Sequence, residues 1–286
     1  MITYFHALLL GLLQGASELF PISSLGHSII LPALLGWKLG ANSNQFLTFL
    51  VATHLATALV LLYVYRSDWL RIIRGLGQSL KNREVTENNS AGLLGWLLIA
   101  GTIPAGLIGL LFEQPIRTLF TSPKAAAVFL ILNGGLLFGA ERLRHRAQMN
   151  GKTDDQTLAK LGWLRSIGIG TAQALALFPG LSRSGASMAG SLLAGLSNEA
   201  ALRFSLLLAT PIIFAAALLK LPELALVENA GLRGPALIGA LAAGTSAWFA
   251  VHFLERFFKN NRLLPFAFYC VIAGILSLTI LQVLHR

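Results

Sequence analysis

Ionisable side chains are scarce inside the apolar stretches of this 286-residue chain, which carries 12 Asp and Glu against 22 Lys and Arg. Among the carboxylates only Glu18 lies within such a stretch, all others falling in polar segments or at the ends of apolar runs. Arg183 lies in a second, similar stretch, and Arg203 opens the apolar run after it. Polar groups crowd around both charges: Gln14, Ser17, Ser23, Ser24 and His27 near Glu18, and Gln173, Ser182, Ser184 and Ser187 near Arg183. One ion pair buried for structural reasons would explain Glu18 and Arg183, since each charge needs the other. It does not need the surrounding hydroxyls.

Chemically, Arg183 is a permanently charged fork suited to phosphate oxygens, and serine hydroxyls with backbone N–H groups complete a cradle for an anion. Ser24 and His27 are three residues apart, so a helix through them sets a hydroxyl nucleophile beside a base. His27 as a polar cap is the other reading open at this point. His54 is expected to hydrogen-bond a neighbouring helix. Arg203 either contacts phosphate or extends to the membrane surface.

The elements that position these groups follow from composition. With 55% hydrophobic and only 12% charged residues, the chain is too apolar for a water-soluble domain. Six windows, Phe46–Tyr65, Leu93–Phe112, Ala125–Ala140, Phe204–Leu221, Pro235–Leu254 and Pro265–Leu284, have about the length a spanning helix needs. Residues 1–6 carry no basic segment, so the first apolar stretch is expected to be retained. Cys270 is the lone cysteine, which excludes a disulfide within the chain and argues against a thiolate metal site. Glu18 and Arg183 belong to two further apolar segments broken by Pro21 and Pro179, with Gly26 and Gly185 beyond the breaks. Helices restarting near Ser24 and Ser184 would aim free N–H groups and positive dipole ends into the protein centre.

The two broken segments are copies of one pattern. Gln14 and Leu19-Phe20-Pro21 return as Gln173 and Leu177-Phe178-Pro179, Val51-Ala52-Thr53 as Leu208-Ala209-Thr210, and Ala100-Gly101-Thr102 as Ala243-Gly244-Thr245. The chain therefore reads as a single membrane domain, with one repeat over about 1–145, a linking loop over 146–164 and a second repeat over about 165–286. Three uninterrupted crossings per repeat, an odd number, require the second repeat to be inverted. The fold class is all-α, with six transmembrane helices and two re-entrant hairpins. Of the 22 Lys and Arg, 14 lie in the segments 66–92, 142–165 and 256–262, which the excess of basic residues places in the cytoplasm with both termini outside. The net charge of +10 thus orients the chain in its membrane and does not mark a nucleic-acid groove.

Two motifs carry a resemblance to a known family. Gln14-Gly-Ala-Ser-Glu18 leading into Pro21-Ile-Ser23-Ser24-Leu25-Gly26-His27, and Pro179-Gly-Leu-Ser182-Arg183-Ser184-Gly185-Ala-Ser187, resemble the signatures of the undecaprenyl-pyrophosphate phosphatases, also called bacitracin-resistance proteins. The likeness runs essentially end to end. It implies an inverted repeat in the bacterial cytoplasmic membrane that removes the terminal phosphate of undecaprenyl pyrophosphate, recycling the carrier for cell-wall synthesis; from the orientation, the site is expected to open to the periplasmic or outer face. It also implies Glu18 as catalytic carboxylate, Ser24 as nucleophile, His27 as its acid/base partner, and Arg183 with Ser182 as phosphate clamp. Gln14, Ser23, Ser184, Ser187 and Arg203 are expected as further phosphate contacts. Gln14 stands where a Glu is common, Leu25 where a Thr is, and Ser187 where a Thr is usual. With Gln14 neutral, Glu18 is the single acidic candidate for Mg²⁺ or Ca²⁺, which would share coordination with the pyrophosphate.

Broken helices in inverted repeats also suit a polyprenyl-phosphate transporter or flippase, and a Ser24–His27 dyad would suit an intramembrane protease, although Arg183 fits phosphate better than a peptide carbonyl. The basic segments predict that cysteines introduced at Ser79 and Asn150 resist an impermeant thiol reagent in intact cells. Rapid labelling of both would contradict the orientation.

Overall fold

The computed structural model describes residues 2–37, 39, 44–112, 122–143 and 154–284. Asn150 lies outside them. Twelve α-helices are described: α1 (Tyr4–Leu19), α2 (Ser24–Leu34), α3 (Asn44–Val64), α4 (Arg66–Asn82), α5 (Ser90–Leu111), α6 (Pro123–Leu143), α7 (Asp155–Ala159), α8 (Gly162–Gln173), α9 (Arg183–Leu193), α10 (Asn198–Lys220), α11 (Arg233–Phe257) and α12 (Leu264–Leu284). Six segments are long and apolar enough to cross a bilayer: α3, α5, α6, α12, and the stretches Asn198–Ala225 and Val227–Phe257 that contain α10 and α11. They coincide with the six windows read from sequence. The protein is an all-helical, multi-pass membrane protein.

α1 starts at Thr3, whose side chain accepts the His6 N–H at 3.2 Å, and stops where Phe20 turns extended ahead of Pro21, as a residue before proline must. α8 runs through a 3₁₀ turn at Ala174–Leu177 and stops likewise at Phe178 before Pro179. The helices that follow, α2 and α9, each have 11 residues and a serine N-cap, Ser23 and Ser182, accepting from Gly26 and Gly185.

The first helix of each broken segment is clamped by small residues. Gly11 and Gly15 of α1 face the Gly239 and Ala243 backbone of α11, and Gly170 of α8 faces Gly101 of α5, so closely that a Cβ at any of the three would overlap a carbonyl. Such contacts let helices meet backbone to backbone where apolar burial cannot drive association. α6 packs along α12, and α3 against α10 and α11. α4 turns off α3 and packs on α5; its Ser79 is buried, its hydroxyl donating to the Glu84 carbonyl at 2.6 Å and accepting from the Trp96 indole at 3.1 Å. The exposed neighbour Gln78 is therefore the better labelling position.

One fully buried residue of α6 joins the two breaks. The Asn133 amide donates to the Pro21 carbonyl at 2.9 Å, and its oxygen accepts the Ser182 N–H at 2.9 Å. Truncation strands a buried acceptor and a buried donor, each costing about 1–3 kcal/mol. Asn133→Ala is expected to lower the thermal midpoint in detergent by about 5 °C or more. An unchanged midpoint would show that the breaks are held without it.

Candidate active site

The two breaks meet. Ser23 adopts φ 69°, a left-handed conformation unusual for a side chain with a Cβ. Its hydroxyl accepts N–H bonds from Gly26 of its own helix and from Gly180 across the interface, both at 3.2 Å. Gly180 has φ 111° and presses on the Ala126 carbonyl, leaving no room for a side chain. Ser184 returns the connection by donating to the Phe20 carbonyl at 2.9 Å. N-terminal turns of α2 and α9, where helix N–H groups lack partners, are thereby brought to one centre.

Glu18 occupies that centre, its side chain 6% exposed. One carboxylate oxygen accepts the Ser24 hydroxyl at 2.5 Å and faces the His54 Nε2 at 3.0 Å. The other accepts the Arg183 Nε and Nη2 at 3.3 and 3.2 Å. The ion pair expected between Glu18 and Arg183 is present, and the hydroxyl beside the carboxylate is that of Ser24. Nη1 of Arg183 is buried with no partner among the described residues. Gln14, one turn before Glu18, accepts from Thr57 at 3.2 Å and leaves its amide nitrogen buried without a partner. Two strong donors are thus available for a further anion.

Several expected roles change. His27 is not the partner of Ser24: its Nδ1 lies 2.7 Å from the Ser23 carbonyl and its Nε2 2.8 Å from the Tyr269 hydroxyl, the two rings stacked. Helical spacing brought Ser24 and His27 onto one turn, but Ser23 and Tyr269 take both ring nitrogens. The carboxylate of Glu18, from the preceding helix, is the group that accepts the Ser24 hydroxyl. Ser23, Ser182 and Ser184 spend their hydroxyls on the breaks, and Ser187 bonds the Arg183 carbonyl at 2.9 Å and Ser205 at 2.6 Å. They build the cradle that phosphate was expected to find them lining. Arg203 is not at this centre either; its Nη2 contacts Asp68 and Asp155 at 2.6 Å each, with Arg71 bridging the same two carboxylates. Partial burial opposes ionisation of Asp155, yet its bonds from Arg71 and Arg203 hold it below the usual carboxylate range.

His54 does bond a neighbouring helix, as expected, but the residue it bonds is Glu18. The signal was available: a histidine in the middle of the apolar run 46–65 is costly there unless it serves a function. Asn133 and Tyr269 stand in similar runs and were not singled out. Among the described residues Glu18 is the single carboxylate at this centre, and the groups that contact it, Ser24, His54 and Arg183, are N–H and O–H donors that supply no further anionic oxygen for a resident Mg²⁺ or Ca²⁺. No group of three His, Cys, Asp or Glu able to hold a metal occurs among the described residues.

Fold and site together define a polytopic helical membrane protein with a charged centre buried where two interrupted helical segments meet. The chain belongs to the family described as bacitracin resistance protein BacA, whose model matches residues 7–276. It is 43% identical to an undecaprenyl-diphosphatase of Mycolicibacterium paratuberculosis, over 97% of each chain. It is 45% identical to undecaprenyl-diphosphatase 2 of Chromobacterium violaceum, over 96% of this chain and 97% of that one, and 40% identical to undecaprenyl-diphosphatase 2 of Frankia alni, over 96% and 97%.

Proposed function

We infer that the chain hydrolyses undecaprenyl pyrophosphate to undecaprenyl phosphate and inorganic phosphate in the bacterial cytoplasmic membrane, recycling the carrier for cell-wall synthesis and conferring bacitracin resistance. The observation that carries this is the bond of the Ser24 hydroxyl to Glu18 at 2.5 Å, with Arg183 clamped on the same carboxylate. The polyprenyl tail stays in lipid, and the pyrophosphate enters the buried polar centre where Arg183 and Gln14 keep donors without partners among the described residues.

Glu18 takes the Ser24 proton as Oγ bonds the terminal phosphorus and the bond to the bridging oxygen breaks. The proton passes to the departing polyprenyl phosphate. A water molecule then gives its proton to Glu18 and attacks the phosphoserine, and Ser24 leaves with that proton restored. Arg183 neutralises the phosphate oxygens in both steps, and the N-terminal turns of α2 and α9 supply N–H groups.

Several features support the inverted-repeat, re-entrant architecture as part of this proposal. α1 and α8, with 16 and 12 residues, rise about 24 and 18 Å, short of the roughly 30 Å hydrocarbon core. Each packs against the 11-residue helix that follows it. α1 packs on α11 and α8 on α5, the exchange that a two-fold axis between equivalent halves produces. With the basic segments in the cytoplasm, the site opens toward the outer face.

The test is phosphate release from undecaprenyl pyrophosphate by the purified chain in detergent, where a transporter or flippase has no compartments to serve and releases none. Ser24→Ala and Glu18→Gln are each expected to cost about 10²–10⁴ in rate, and their combination little more than either, because they act as one unit. Arg183→Lys should recover little of what Arg183→Ala loses, since a point charge does not replace the fork. Full activity in Ser24→Ala would transfer the attack to water.

A further inference from the structure

Two cations and one carboxylate occupy the centre, and the imbalance points to a missing anion. His54 has both ring nitrogens facing acceptors: Nδ1 lies 2.6 Å from the Leu50 carbonyl and Nε2 3.0 Å from Glu18. With Glu18 as a carboxylate, both acceptors are satisfied by a ring carrying a proton on each nitrogen, an imidazolium. With Arg183, the centre then carries a net charge of about +1 inside a membrane segment, where an uncompensated charge is costly. The described hydrogen bonds around it bring no second carboxylate, and Gln14, one turn away, contributes a neutral amide.

We propose that His54 is a second phosphate-binding cation of this site, and that Glu18, held between His54 and Arg183, is in the ligand-free protein the stand-in for the phosphate that both cations receive. Three observations carry the assignment. His54 grips the same carboxylate oxygen that accepts the Ser24 hydroxyl, so a phosphate set for attack by Ser24 lies beside it. Its side chain is 23% exposed, against 12% for Arg183 and 6% for Glu18, so it is the least enclosed of the three charged groups. Its anchor to Leu50 fixes the ring, so Nε2–H passes from carboxylate to phosphate without a large rearrangement.

The exchange has a chemical consequence. While His54 and Arg183 both bind Glu18, the carboxylate is a poor proton acceptor. When phosphate draws the His54 N–H away, the oxygen facing Ser24 loses a cation and can take the hydroxyl proton. Substrate thus converts Glu18 from counter-ion to base. His54 also provides, as a fixed organic cation, part of the charge that a divalent ion would bring to the phosphate.

The inference rests on the phosphatase reading, and two readouts separate them. The first is the thermal midpoint of the full chain in detergent, titrated with inorganic pyrophosphate. Wild type is expected to be stabilised as pyrophosphate rises, and His54→Gln, which keeps a donor but removes the charge, to need about tenfold more or greater for the same shift, the scale of one charged hydrogen bond. The second readout is phosphate release from undecaprenyl pyrophosphate, where His54→Gln should raise KM by a similar factor. If wild type releases no phosphate but its response to pyrophosphate depends on His54, the enzymatic reading fails and this one stands. A His54→Gln protein that responds to pyrophosphate like wild type overturns it, as does a fall in kcat with KM and the pyrophosphate titration unchanged, which would make His54 only a support for Glu18. Should His54→Gln fail to fold, His54→Lys keeps the charge: a titration within about threefold of wild type supports the proposal, and a tenfold weakening contradicts it.

Discussion

A carboxylate buried in an apolar helical bundle is the constraint on which the rest of this structure depends. Glu18 lies in a segment where a lone charge is expensive, and three donors from three other helices offset that cost: Ser24 on α2, His54 on α3 and Arg183 on α9. Each donor fixes its helix relative to α1, so the charge cluster that does the chemistry also sets the arrangement of the helices around it. Removing the carboxylate would leave two cations facing each other across an apolar interior.

To bring Ser24 and Arg183 to one point, the backbone must leave the helical path twice inside an apolar helical bundle. That is tolerable only where every freed backbone group finds a partner. Ser23 serves Gly26 and Gly180, Ser184 serves Phe20, and Asn133 serves Pro21 and Ser182. Most of the serines in the two motifs therefore maintain the geometry, and Ser24 is the hydroxyl left facing the carboxylate.

Hydrophobic run length was enough to locate all six long helices, because a bilayer imposes length and apolarity residue by residue. The breaks were legible from Pro21 and Pro179, and the Glu18–Arg183 pair from the scarcity of charge. What spacing along a chain does not encode is which of several polar neighbours wins a given partner. Ser24 and His27 share a helical turn, yet Tyr269, distant by 242 residues, claims the imidazole, while Glu18 from before the break claims the hydroxyl. Arg203 illustrates the same limit, since Asp68 and Asp155 meet it only once α4, α7 and α10 are assembled. His54 and Asn133 were visible as polar residues in apolar runs, but only the assembled helices show what each one touches.

The claim that Glu18 and its cations form one energetic unit is tested most directly by a double-mutant cycle on thermal stability in detergent, using Glu18→Gln, Arg183→Gln and the pair. Glu18→Gln leaves Arg183 without its counter-ion, Arg183→Gln takes from the carboxylate the partner that holds one of its oxygens, and the double removes one charge of each sign. The account predicts that the double variant is more stable than the sum of the single losses by about 1 kcal/mol or more. Additivity within about 0.5 kcal/mol would mean that the two residues do not depend on each other, and would contradict it.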